Sequence, residues 1–126
     1  MLRLLLVSNN IEPFSEFIWA LEESDVNEVL IAESCEAALK MIKDKSIDLV
    51  ISDEEVGGMP GLDFAKKLIS SSPMTNCAAV SSLSEKDFHE ASEGLGLMNH
   101  LPVNPGSSDA EALIKSLMCI KSLESR

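Results

Sequence analysis

Two short apolar runs constrain this chain more than any other feature. LRLLLV (Leu2 to Val7) and IDLVIS (Ile47 to Ser52) are each of strand length and continuous in apolar character. Runs of this kind belong to strands buried on both faces, as in a parallel sheet covered by helices. EVLIA, lying between them, is a weaker run of the same type. NCAAVSS reads as a fourth strand with small side chains, and HLPV as a short fifth.

Helical periodicity fills the intervals. Phe14, Phe17, Ile18 and Leu21 fall at i, i+3, i+4 and i+7 behind Pro13, a residue suited to a first turn, so an amphipathic helix is predicted over 13–23. Ala38, Leu39 and Ile42 follow Ser34, a candidate cap, while Leu62, Ala65, Leu68 and Ile69 follow Gly61 and stop at SSSP. Ser84 to Leu95 opens with S-E-K-D and is expected to be the least stable helix, because Gly94 near its end weakens it by about 1 kcal/mol relative to alanine. Ser108 to Ser122, opened by S-D-A-E with Leu113, Ile114 and Leu117 facing inward, closes the chain.

Five strands thus alternate with five helices, (βα)5. Short connections and right-handed crossovers then require an α/β fold with a doubly wound five-stranded parallel sheet. Pro102 falls inside the predicted fifth strand and cannot donate to a ladder, so that strand belongs at an edge. The flavodoxin-like order 2-1-3-4-5 satisfies this. With 126 residues, 45% of them hydrophobic, the chain has the size and core of one domain, 1–126.

Charge narrows the partners. Ten basic against twenty-one acidic residues give a net charge of -11, which repels nucleic-acid phosphates and anionic lipid. Lys66 and Lys67 read as a solvated helix face, and protein partners are the expectation. The start, MLRLLLVSNN, is too short in apolar residues for a signal segment, and no later run approaches a membrane span, so a cytoplasmic location is expected. Cys35, Cys77 and Cys119 show no paired spacing and are expected to be buried thiols in a reducing compartment; two histidines make no zinc-like cluster.

In open α/β sheets the site forms beyond the carboxyl ends of the strands at the switch point, here between strands 1 and 3. Ser8, Asn9 and Asn10 follow strand 1. Asp53 follows strand 3 in LVISDEEVGGMPG, where an apolar run ends on an acid and breaks into a glycine-rich turn. Asp53 is either a reactive group presented at a strand end or an ordinary turn acid. Gly57, Gly58 and Gly61 are expected at tight or left-handed positions. A phosphate cradle is the weaker alternative for them, since the loop lacks the lysine and Ser/Thr of a P-loop and the spacing of a dinucleotide fingerprint.

DLVISDEEVGGMPGLDF resembles the D-L-V-I-x-D-x-x-M-P-x-M-D-G-L-E-F segment of two-component response regulator receiver domains, the CheY-like superfamily. Asp53 matches the phosphoacceptor and Gly61-Leu62 the later Gly-Leu. SCEAALKMI is similar to the second helix, AVSS to the fourth strand with its hydroxyl residue, and SEGLGLMNHLPVNP to the segment leading to the fifth strand. The resemblance implies a signalling module, not an enzyme, whose aspartate takes a phosphoryl group from a kinase histidine by in-line attack, with the protein supplying charge and position. It implies four helpers: an acidic pair after strand 1, the Mg²⁺ it holds with the acceptor, a Ser or Thr ending strand 4, and a Lys ending strand 5.

This sequence departs from that pattern. V-S-N-N puts Ser8 and Asn9, or with a one-residue shift Asn9 and Asn10, where two carboxylates are expected, and the first acid in the chain is Glu12. Neutral oxygens in place of carboxylates should leave Mg²⁺ weakly bound if at all, and no other cofactor is expected. Val103 or Asn104 stands at the lysine position, with no Lys or Arg between Lys86 and Lys115. The hydroxyl survives as Ser81, and His100 stands where the family usually has Tyr or Phe, so these two are the switch candidates. Glu54 and Glu55 add negative charge beside Asp53, Glu55 at a further position of the altered metal site.

Three functions follow as alternatives. The first is a pseudo-receiver that binds a partner regardless of phosphate. The second is a receiver still phosphorylated on Asp53, slowly, by a histidine kinase. The third, a small flavodoxin-like cofactor binder, is disfavoured because SNNIEP lacks the Ser/Thr/Gly-rich loop a flavin would need. The partners implied are a histidine kinase, a phosphotransfer protein or an output domain, and a homodimer through the fourth helix, fifth strand and fifth helix is a further arrangement. Trp19 lies off the apolar stripe of the first helix and marks a competing face.

Overall fold

The computed structural model describes residues 2–23, 27–72, 75–98 and 100–124. In chain order the elements are β1 (Leu2–Val7), a 3-10 turn (Glu12–Phe14), α1 (Ser15–Glu23), β2 (Asn27–Ala32), α2 (Cys35–Asp44), β3 (Leu49–Ser52), β4 (Glu55–Val56), β5 (Met59–Pro60), α3 (Gly61–Ser71), β6 (Asn76–Val80), α4 (Glu85–Ala91), β7 (His100–Leu101) and α5 (Ser107–Glu124). The main sheet has five strands in the order β2-β1-β3-β6-β7, every neighbouring pair parallel. This is the flavodoxin-like order 2-1-3-4-5 expected from the sequence, with β6 and β7 as its fourth and fifth strands.

The unbroken apolar runs have a direct structural cause. Successive side chains of a strand point to opposite faces. Leu4 and Leu6 of β1 enter a core with Phe14, Phe17, Leu21, Leu113 and Leu117 from the α1 and α5 side. Leu5 and Val7 enter a second core with Ala38, Phe64, Ala65 and Leu68 of α2 and α3. Both faces are covered from Leu4 to Val7, so neither set of alternate positions is polar there; Arg3, nearer the start of β1, is partly exposed and pairs with Glu28 at 3.0 Å.

Helix starts follow the expected chemistry. The Ser34 hydroxyl accepts the Ala37 amide at 3.1 Å, and the Ser84 hydroxyl accepts the Asp87 amide at 3.1 Å. At α5 the capping acid is Asp109, which accepts the Gly106 amide at 2.9 Å, and the helix begins at Ser107, one residue earlier than predicted. Ser34→Ala is expected to lower stability by about 1 kcal/mol, the usual effect of losing such a cap, read as a shifted urea midpoint with unchanged slope.

Several boundaries differ from the sequence reading. The helix predicted over Ser84 to Leu95 ends at Ala91. Ser92 folds back, its amide and hydroxyl both bonding to the Phe88 carbonyl, and Gly94 and Gly96 take φ of 83° and 68° beyond the helix. Gly94 therefore serves a left-handed turn and does not weaken a helix interior. HLPV contributes only His100 and Leu101 to the ladder; β7 is an edge strand, but Pro102 lies past it. The first helix opens as a 3-10 turn before continuing as α1. Cys77 is buried, and burial pushes its thiol up to about 12. Cys35 is only half-buried and Cys119 is exposed, so the expectation of three buried thiols fails at these two.

The antiparallel pair β4–β5 was not anticipated. Val56 pairs with Met59 across Gly57 and Gly58, whose φ values of 58° and 83° suit a two-residue hairpin turn. Gly61 serves another purpose: it starts α3 close against the Asp53 carbonyl, at a φ that is not positive.

Candidate functional site

The carboxyl ends of β1, β3 and β6 bring the sequence-predicted groups together. Asp53 follows β3, is half-buried, and donates its amide to the Val7 carbonyl at 3.0 Å. Ser8, fully buried, is fixed by its own amide on the Ala32 carbonyl at 3.0 Å. Its hydroxyl oxygen lies 2.7 Å from Asp53 Oδ2 and 2.9 Å from the Asn10 carbonyl, and it accepts the Asn10 amide at 3.1 Å. A hydroxyl has one proton, and the nearer, charged acceptor takes it, so Ser8 donates to Asp53. Asp53 Oδ1 accepts the Glu54 amide at 2.7 Å. Both oxygens of the carboxylate are thereby held by the protein.

Asn9 and Asn10 are exposed, and Asn10 Oδ1 accepts the Glu12 amide at 3.3 Å, shaping the turn. Glu55 is exposed at the start of β4. Val103 and Asn104 are exposed beyond β7, with Asn104 at φ 60°, a conformation asparagine adopts more readily than most residues. Among the described residues no group of three or more His, Cys, Asp or Glu side chains is placed to hold a metal ion.

Ser81 and His100 meet, though through the backbone of Ser81. His100 Nε2 lies 3.0 Å from the Ser81 carbonyl oxygen, which can only accept, so the ring carries its proton on Nε2. The Ser81 hydroxyl accepts the Leu83 amide at 3.1 Å. The His100 ring stacks on Phe88 of α4, with centroids 4.0 Å apart and planes 7° from parallel.

The role of Glu54 is not legible from sequence. Its Oε2 reaches across to the next loop and accepts both the Ser82 amide at 2.6 Å and the Ser82 hydroxyl at 2.7 Å. Those bonds, the amide first, hold its carboxyl below the ordinary glutamate value of 4.5, against a smaller opposing effect of burial. A depressed pKa stabilises the folded state above the ordinary value, and that contribution is lost as pH falls through the folded-state pKa. The Ser82 amide resonance should therefore move with pH around a midpoint below 4.5; a midpoint above 4.5 would contradict the bond.

An open, doubly wound α/β domain that presents a carboxylate at its switch point is the class this fold and site define. A family model for the response regulator receiver domain matches residues 4–106, and the chain belongs to that family, the receivers of two-component signalling. The fold is similar to a signal receiver domain of an HD domain-containing protein from Pseudomonas fluorescens Pf-5 at TM-score 0.82 and 18% identity, covering 99% of this chain and 93% of that one. It is also similar to a response regulator receiver domain protein from Clostridium thermocellum at TM-score 0.79 and 21% identity, covering 98% and 99% of the two chains. A third likeness is to the chemotaxis response regulator CheY4 of Vibrio cholerae, at TM-score 0.79 and 18% identity, covering 93% and 98%. No curated protein sequence matches the chain. Among the described residues no helix is long and apolar enough to cross a membrane.

Proposed function

We propose that this receiver domain acts as a pseudo-receiver, an interaction module that engages its partner without phosphorylation of Asp53. The observation that carries this reading is the Ser8 hydroxyl at 2.7 Å from Asp53, in the V-S-N-N stretch that the resemblance aligns with the family's acidic pair. Mg²⁺ sheds water reluctantly and is usually fixed by carboxylates. Here one carboxylate faces a hydroxyl proton, the next two residues after Ser8 are exposed, uncharged asparagines, and that donor set does not fit the ion. No cation at Val103 or Asn104 compensates a phosphoryl charge. The module performs no chemistry of its own and works in the cytoplasm, where a histidine kinase, phosphotransfer protein or output domain is the partner.

The partner's surface is the face formed by α4, β7 and α5, where the Phe88–His100 stack joins helix to strand. The competing face is marked by Trp19 on α1, 61% exposed; large aromatics are enriched at binding hot spots. Hydrogen exchange on adding the partner separates the two, with protection expected over residues 84–99 and not over 13–23. For the chemistry, acetyl phosphate or beryllofluoride should leave the protein unmodified by intact mass and fluorine NMR. An adduct that forms readily and disappears in Asp53→Asn would sink the pseudo-receiver reading and establish a slow phosphoacceptor.

A further inference from the structure

Two loops at the carboxyl ends of adjacent strands, β3 and β6, are tied by a single side chain. Glu54 Oε2 takes the amide and the hydroxyl of Ser82, at 2.6 and 2.7 Å, across 28 positions of sequence. Bonds to an ionised acceptor are shorter and about twice as strong as neutral ones. Ser82 sits within a compact turn: the Leu83 amide is bonded to the Ser81 hydroxyl, and the Ser81 amide to the Leu101 carbonyl of β7. The Ser81 carbonyl in turn holds His100, whose ring lies flat on Phe88. A continuous series of contacts therefore runs from a carboxylate on the β3–β4 loop to the aromatic stack between β7 and α4.

We infer that Glu54 is an internal anion that latches the β6–α4 loop to the β3–β4 loop and so holds the His100–Phe88 stack in place without any added group. The Ser82 donors are already engaged by a negative group from the residue next to Asp53. An anion arriving at Asp53 would find them taken and would meet the Glu54 charge at close range. The latch goes beyond the pseudo-receiver reading, because it names the residue that fixes the partner-binding face.

The test uses the unmodified protein with no phosphodonor, so its failure is separate from that of the pseudo-receiver reading, which a phosphoryl adduct alone decides. Glu54 is exposed, and its replacement leaves both cores intact. In Glu54→Ala the Ser82 amide should exchange about tenfold faster or more, as expected on losing bonds to a charged acceptor. The Phe88 and His100 ring resonances should shift with it, while the Cys77 and Ala78 amides in β6 stay unchanged. Glu54→Asp, one methylene short, should behave like the alanine variant, and Glu54→Gln, which keeps the reach but loses the charge, should fall between. Unchanged Ser82 exchange would overturn the latch. So would changes confined to residues 54 and 82, because the aromatic stack would then stand independently.

Discussion

Gly61→Ala is expected to destabilise the domain by about 3 kcal/mol, the upper part of the range for overpacking a tight site. A Cβ at Gly61 would fall well inside contact with the Asp53 carbonyl oxygen and within 2.9 Å of Ser52 Oγ. Neither neighbour can yield. Ser52 is fully buried, and β3 is paired on one side with β1 and on the other with β6. The Gly61 amide is also bonded to the Glu54 carbonyl at 2.8 Å, which pins α3 to the loop that carries Asp53. Gly57 and Gly58 provide the control: nothing lies within 4 Å of a Cβ at either, so alanine there meets only the strain of a positive φ, about 1 kcal/mol. Urea denaturation of the three variants should rank Gly61→Ala lowest by a clear margin. A ranking with Gly58→Ala lowest would show that backbone conformation, not close approach, governs this loop.

That contrast shows how far the sequence could be read. The three glycines of GGMPG were all legible as special positions, yet only Gly57 and Gly58 take the left-handed backbone, while Gly61 is required by proximity to Asp53. The alternation of five strands with five helices and the placing of Asp53 at a strand end followed from the apolar runs, because burial on both faces leaves a pattern in composition. Contacts between loops leave none. Glu54 read only as extra charge beside Asp53, and Ser8 only as a residue standing where an acid was expected. Their partners, Ser82 and Asp53, are distant in sequence and are set by how strand ends align across the sheet. The edge position of β7 was reached through Pro102, which the ladder does not include. A two-residue strand at the end of the sheet has little pattern of its own to reveal its length.

Restoring carboxylates after β1 should give the domain a dependence on Mg²⁺ that the parent lacks. The parent's thermal midpoint is expected to be the same in EDTA and in millimolar Mg²⁺, since Asp53 faces the Ser8 hydroxyl and the two residues that follow Ser8 are uncharged asparagines. Ser8→Asp combined with Asn9→Asp would place two further acids beside Asp53, one of them at a position that is now completely buried. Without metal these charges repel one another and the buried one is poorly solvated, so the variant should melt well below the parent in EDTA. With metal the sign reverses, because an ion that binds only the folded state stabilises it by about 2.7 kcal/mol at a hundredfold excess over Kd. The single variant Asn9→Asp keeps the Ser8–Asp53 bond and covers the case in which the double variant does not fold in EDTA; it should show the same Mg²⁺ response on a smaller scale. If Mg²⁺ raises the parent's midpoint as much as the variants', neutral oxygens suffice for the ion and the slow phosphoacceptor reading gains its metal. If no variant responds, the missing acids are not what keeps Mg²⁺ away, and the strand ends differ from a metal-binding receiver in geometry as well as charge.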